Sequence, residues 1–315
     1  MEIRAGILRT PDTCFDGLPD YPFAPHYLEI EDPELGPLRM HYIDEGERDA
    51  PVVLMAHGNP TWSFLYRHMI GPVVAAGYRV IAPDMIGFGK SDKPAERSAY
   101  GYDRFVAWMR TFVEALDLSD ITLMCQDWGG PINLRVLSEM PERFSAVLAA
   151  NTLLQNCDPP PLGVPDWPGE AIAAWIESCR TNDDLPLDEL IARTCVTRPA
   201  EDVLAAYAAP YPDGRYKAGL LQITCSIPIA EGAEGLDTNR EAWRFLEQWD
   251  KPFLTAFSDS DPSTINWETV FQNRVAGAKG QPHTRIVGAG HFVQEEQGPA
   301  LAKVLVDFLR ANHTN

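Results

Sequence analysis

Short runs at 51–56, 78–82, 121–125, 146–150, 252–257 and 284–287 are apolar throughout instead of alternating with polar residues. A strand with one wet face alternates, whereas a strand covered on both faces does not. The runs therefore read as strands of a mostly parallel sheet packed between helices. Helical patterns lie between them. In 102–116, Phe105, Trp108, Met109, Phe112, Val113 and Leu116 form one stripe at spacings of three and four. Stretches 131–139 and 299–309 repeat the pattern after the third run and near the end. This alternation implies an open, doubly wound α/β sheet.

Two stretches break the rhythm. Residues up to about Pro37 are rich in Pro and Asp and read as an irregular leader. From Asn156 to Ile227 no strand is convincing; Pro159-Pro160-Pro161 leads into helical patches around Trp175 and over 187–193. Structureless loops beyond about 15 residues are uncommon in compact domains, which favours an inserted helical lobe. The expected organisation is an α/β core of 1–155 and 228–315 with a helical cap of 156–227.

Charge narrows the function. With 26 Lys+Arg against 45 Asp+Glu, the chain carries a formal −19. Binding to nucleic acid or to an anionic membrane needs clustered cations, so neither partner is expected. No apolar run approaches the roughly 20 residues of a membrane span, and residues 1–10 lack a secretory pattern, which points to the cytoplasm. The six cysteines form no C-x-x-C pair and are expected as reduced thiols. No His/Cys cluster has zinc-ligand spacing.

The chemistry-bearing residues cluster at the ends of the runs. Ile-Thr-Leu-Met-Cys-Gln-Asp-Trp-Gly-Gly-Pro at 121–131 has the form of a nucleophile elbow, in which a strand ends, one polar side chain caps a tight turn, glycines follow and a helix begins. Asp127 stands at the apex. An anion there is stabilised by the helix dipole and free N–H groups. A carboxylate attacking an ester would give a reactive anhydride, but attacking a saturated carbon with a leaving group it gives a stable alkyl ester. Displacement at carbon is thus the expected reaction; the competing reading is a plain helix cap.

After the first run, Ala-His-Gly-Asn-Pro-Thr-Trp at 56–62 forms a Gly-containing turn. Its Asn59 N–H, with that of Trp128, is expected to form an oxyanion hole for ester hydrolysis, while His57 fixes the turn. After the last run, Ala-Gly-His-Phe presents His291 as general base. Asp261, following the 252–257 run, is the expected orienting acid, with Asp259 as rival; Asn151 and Thr152 offer no carboxylate at the other strand end. The indole N–H of Trp128 donates only, as a departing halide requires. Trp175 of the lobe and the Asn59 amide are the two candidates for a second donor.

The segments from His57 to Arg67, from Asp84 to Pro94 and Cys-Gln-Asp-Trp-Gly-Gly at 125–130 together resemble the haloalkane dehalogenases of the α/β-hydrolase superfamily. The leader Arg-Thr-Pro-Asp at 9–12 and the segment from Ala208 to Ala218 resemble the branch whose acid follows the sixth sheet strand and whose second halide donor is a cap tryptophan. The resemblance implies that Asp127 displaces halide, that water activated by His291 with Asp261 hydrolyses the alkyl ester, and that Trp128 and Trp175 hold the halide. It implies a small halogenated hydrocarbon and water as substrates, an alcohol, a halide and a proton as products, no cofactor or metal, and a monomer or homo-oligomer. Asn59 departs from this branch, which often carries Glu there; a sister branch uses Asn as halide donor. The rival function is an epoxide hydrolase, with Tyr207, Tyr211 or Tyr216 as acids, although Gln126 stands where such enzymes usually have His. A fluoroacetate-type dehalogenase would need an Arg pair near the elbow, which is lacking. From a different class, a binding or signalling protein on a dead hydrolase scaffold fits poorly with a complete triad.

Overall fold

The computed structural model describes residues 1–312. Eight strands form the main sheet: β1 (His26–Asp32), β2 (Gly36–Glu45), β3 (Val52–Ala56), β4 (Arg79–Pro83), β5 (Ile121–Gln126), β6 (Phe144–Ala150), β7 (Phe253–Ser258) and β8 (Thr284–Ile286). Their spatial order is β8-β7-β6-β5-β3-β4-β2-β1. Pairing is parallel from β8 through β4 and antiparallel where β2 meets β4 and β1.

The strands expected from the apolar runs are all present. Along β3 the residues alternate between two cores. Val53 and Met55 face one with Met69, Val73, Leu301 and Leu305, while Leu54 and Ala56 face the other with Phe105, Ile132 and Val136. Two-sided burial is why these runs carry no polar alternation. The helices α1 (Arg67–Ala75) and α10 (Val293–Asn312) pair on one face; α2 (Tyr102–Ala115), α3 (Gly129–Glu139) and α8 (Leu236–Leu246) pack on the other.

The leader is not irregular throughout, and this corrects the expectation. It contains β1 and the short strands Glu2–Arg4 and Ile7–Leu8, which join Lys93–Pro94 in a small antiparallel sheet. The antiparallel edge hairpin β1–β2 escapes a search for apolar runs because β1 is an edge strand that buries only Ile30 and Asp32 deeply. Its exposed Glu29 and Glu31 hide it among polar residues. Consequently Asp261 follows the seventh strand of the sheet in chain order, one later than the resemblance implies.

Between β6 and β8 the chain also forms α4 (Glu170–Thr181), α5 (Leu187–Thr194), α6 (Glu201–Ala208), α7 (Ala218–Cys225) and α9 (Glu268–Arg274). Helices α4 and α7 pack together, as do α5 and α6, and no strand interrupts 156–227. All six cysteines are unpaired thiols. No helix among the described residues is long and apolar enough to cross a membrane.

Candidate active site

Strand β5 ends at Gln126, and α3 begins at Gly129, leaving Asp127 on a sharp bend. Its φ of 49° lies in the left-handed region, a backbone cost of about 1–3 kcal/mol for a non-glycine residue. Neighbouring strand ends hold the bend. Asp127 N–H donates to the Asn151 carbonyl at 3.0 Å, and Thr152 Oγ1 donates to the Asp127 carbonyl at 2.7 Å. Gly129 is required next, because a Cβ there would collide with the Ala56 carbonyl of β3. Asp127 is not a helix cap. The α3 N-terminus has no side-chain cap bond, and Asp127 Oδ1 instead accepts from Asn59 N–H at 2.6 Å.

The other carboxylate oxygen, Oδ2, faces His291 Nε2 at 3.4 Å. His291 Nδ1 lies 3.0 Å from Asp261 Oδ2. Asp261 is buried and further held by Ser263 N–H at 2.8 Å and the Thr264 hydroxyl at 2.6 Å. The rival Asp259 is exposed, accepts from Gly288 N–H at 3.0 Å and does not meet His291. Burial raises the Asp261 carboxyl, but the imidazole beside it and its hydrogen bonds outweigh this and hold it below the usual range. Burial opposes protonation of His291, yet the flanking carboxylates, Asp261 foremost and then Asp127, push it up to about 10.

The imidazolium is favoured while both carboxylates are charged. Neutralising Asp127 removes one of the two raising influences, so the folded-state pKa of His291 must fall. Titration of His291 in Asp127→Asn by NMR is expected to give a lower pKa than in the unaltered protein; an equal or higher value would show that Asp127 does not act on the imidazole.

His57 fixes the preceding turn, as expected. Its Nδ1 bonds the Gly58 carbonyl at 2.8 Å, its Nε2 accepts from Met85 N–H at 3.0 Å, and burial lowers its pKa. Asp127, Trp128, His291, Asn59 and Trp175 all line one cavity of about 580 Å³. Apolar residues including Leu153, Trp167, Ile172 and Phe292 form its walls. Trp128 is buried edge-on to Tyr102, whose hydroxyl donates to Asn239 at 2.8 Å. Neither the Trp128 nor the Trp175 indole N–H has a hydrogen-bond partner among the described residues. The Asn59 amide differs: its Nδ2 donates to Thr224 Oγ1 at 2.9 Å and to the Leu220 carbonyl at 3.3 Å.

Comparisons agree with this architecture. The alpha/beta hydrolase fold family is matched over residues 51–297. A haloalkane dehalogenase of Psychrobacter cryohalolentis is 48% identical over 306 residues, 97% of this chain and 99% of that protein. One from Mycolicibacterium paratuberculosis is 42% identical with the same coverage of both chains. The chain belongs to the haloalkane dehalogenases. Among solved structures, the tetrameric haloalkane dehalogenase DpaA of Paraglaciecola agarilytica NO2 superposes with a TM-score of 0.85 at 34% identity, covering 95% of this chain and 97% of that one.

Within this haloalkane dehalogenase scaffold, some residues that orient the site escape sequence reasoning. Gln126 Nε2 lies 3.2 Å from both Nε2 and the carbonyl of His291. Asn151 Nδ2 donates to Ser258 Oγ, the Gly290 carbonyl and the His291 carbonyl at 2.9–3.0 Å. In the sequence Asn151 stands out only as a position without a carboxylate. A polar residue ending an otherwise apolar buried strand is the available signal, since such a group must find partners.

Proposed function

We propose that this chain hydrolyses carbon–halogen bonds of haloalkanes in two covalent steps. Asp127 Oδ1 is engaged by Asn59 N–H, which leaves Oδ2 to attack the halogen-bearing carbon. The new carbon–oxygen bond forms as the carbon–halogen pair leaves with halide, towards the indole N–H groups of Trp128 and Trp175. Apolar walls around these donors strengthen their pull on an anion. With Asp127 now a neutral ester, His291 gives up its proton more readily and accepts one from water through Nε2. The water oxygen attacks the Asp127 carbonyl carbon, and Asn59 N–H holds the resulting oxyanion, with Trp128 N–H as second donor. Collapse breaks the acyl–oxygen bond; the departing alkoxide takes the proton from His291 and leaves as alcohol, and loss of the acid proton restores the carboxylate. Haloalkane and water become alcohol, halide and a proton.

The observation that carries this reading is a carboxylate in the nucleophile position, set beside an imidazole held by a second buried carboxylate, in a cavity lined by three partnerless indole donors, those of Trp128, Trp167 and Trp175. The cap of 156–227 supplies two of those indoles, Trp167 and Trp175, and a wall of the cavity. The Asn59 amide is committed to α7, so we assign Asn59 its main-chain role and give the second halide contact to Trp175. Nothing favours the epoxide reading: Tyr207 donates to Glu295 at 2.6 Å, the Tyr216 hydroxyl bonds the amino terminus, and none of Tyr207, Tyr211 and Tyr216 lines the cavity.

Halide release from 1,2-dibromoethane tests the function; diol formation from styrene oxide without halide release would overturn it. A hydrogen bond to a charged group contributes about 1.5–3 kcal/mol, so Trp175→Phe is expected to weaken bromide binding about tenfold or more. Quenching of tryptophan fluorescence by bromide measures this, and unchanged affinity would remove Trp175 from the halide site.

A further inference from the structure

We infer that Glu296 is a positioning residue that ties the loop carrying the general base to the cap; this rests on the two-step reading above. His291 lies between β8 and α10, and its loop meets the cap through main-chain groups. His291 N–H donates to the carbonyl of Thr194, the last residue of α5, at 2.9 Å. Gly290 permits this approach, since a Cβ there would collide with that same carbonyl. Glu296 spans the junction. Its Oε2 accepts from Gly290 N–H at 2.7 Å, and its Oε1 accepts from Thr197 N–H, beyond α5, at 2.7 Å.

One carboxylate thus grips the base loop with one oxygen and the cap with the other. The core holds the loop from the opposite side, through Asn151 and the Gly290 and His291 carbonyls. Bonds from N–H to a carboxylate are charge-assisted and stronger than neutral ones. The neighbouring Glu295 is not free to substitute, because Arg67 binds both its oxygens at 2.7 Å and Tyr207 donates to it as well. His291 must keep contact with Asp261 while reaching the water beside Asp127, so loosening its loop disturbs proton transfer. A misplacement of about 1 Å in such a group can cost on the order of 10²-fold.

Asp127 needs no proton removed before it attacks, so a residue acting through His291 should slow only ester hydrolysis. Rapid-quench mass spectrometry of one turnover, with the full-length protein in excess over 1,2-dibromoethane, follows the rise and decay of the alkyl adduct. In Glu296→Ala the rise is expected within about twofold of the unaltered protein and the decay about tenfold slower. Glu296→Gln, which keeps one acceptor oxygen, should fall between. Unchanged decay, or rise and decay slowed by the same factor, would show a merely structural role and overturn the inference. If Glu296→Ala does not fold, the same ratio in Glu296→Gln decides. Failure of the unaltered protein to form any adduct would instead overturn the two-step reading, so the two failures are distinct.

Discussion

Replacing His291 by Gln is expected to stop the reaction halfway. Alkylation of Asp127 uses no general base, so halide should appear in an amount close to one per enzyme and then cease. The ester then persists, because its hydrolysis needs a proton taken from water, and general bases contribute about 10²–10⁴-fold to such steps. Intact-mass measurement should show the protein heavier by the alkyl group, with the added mass on the peptide holding Asp127. Gln is close in size to His and retains hydrogen-bonding capacity, so the Asp261 pocket is not left bare. Absence of any adduct alongside lost turnover would remove the covalent intermediate.

Asp127→Asn has a different signature and an effect at least as large. The amide keeps nearly the same shape and an oxygen for the Asn59 N–H, so circular dichroism and the melting temperature should indicate an intact fold. It has no charged oxygen to displace halide, and loss of a nucleophile of this kind costs on the order of 10⁴-fold or more. Neither halide burst nor adduct should be seen, in contrast to His291→Gln. Residual turnover within about tenfold of the unaltered protein would mean that another group attacks the carbon.

Legibility from sequence follows burial. Strands covered on both faces, such as β3 and β5, announce themselves as apolar runs because every position is buried. The edge strand β1 does not, since its outward charges dilute the pattern. Asp127, Trp128 and His291 are readable because each sits at a strand end beside the glycines that tight turns need. Asp261 is chosen over Asp259 in the sequence, but Asp259 follows β7 directly and Asp261 only two residues later. The spacing is therefore a weak signal, and the bend of the chain is what turns Asp261 inward to His291. Trp175 is harder to place, because its position in the cavity depends on how α4 packs against α7. The contacts of Asn151 and Gln126 with the His291 loop, and that of Glu296 with Thr197, join segments far apart in sequence, where no local spacing marks them.

Oxygen labelling reaches the role of Asp127 most directly. With the enzyme in excess over a bromoalkane in oxygen-18 water, a single turnover should yield alcohol carrying ordinary oxygen from the Asp127 carboxylate, while the peptide containing Asp127 gains the heavy atom. Alcohol labelled in that first turnover, with Asp127 left unlabelled, would mean that water attacks the carbon itself and would contradict nucleophilic attack by Asp127.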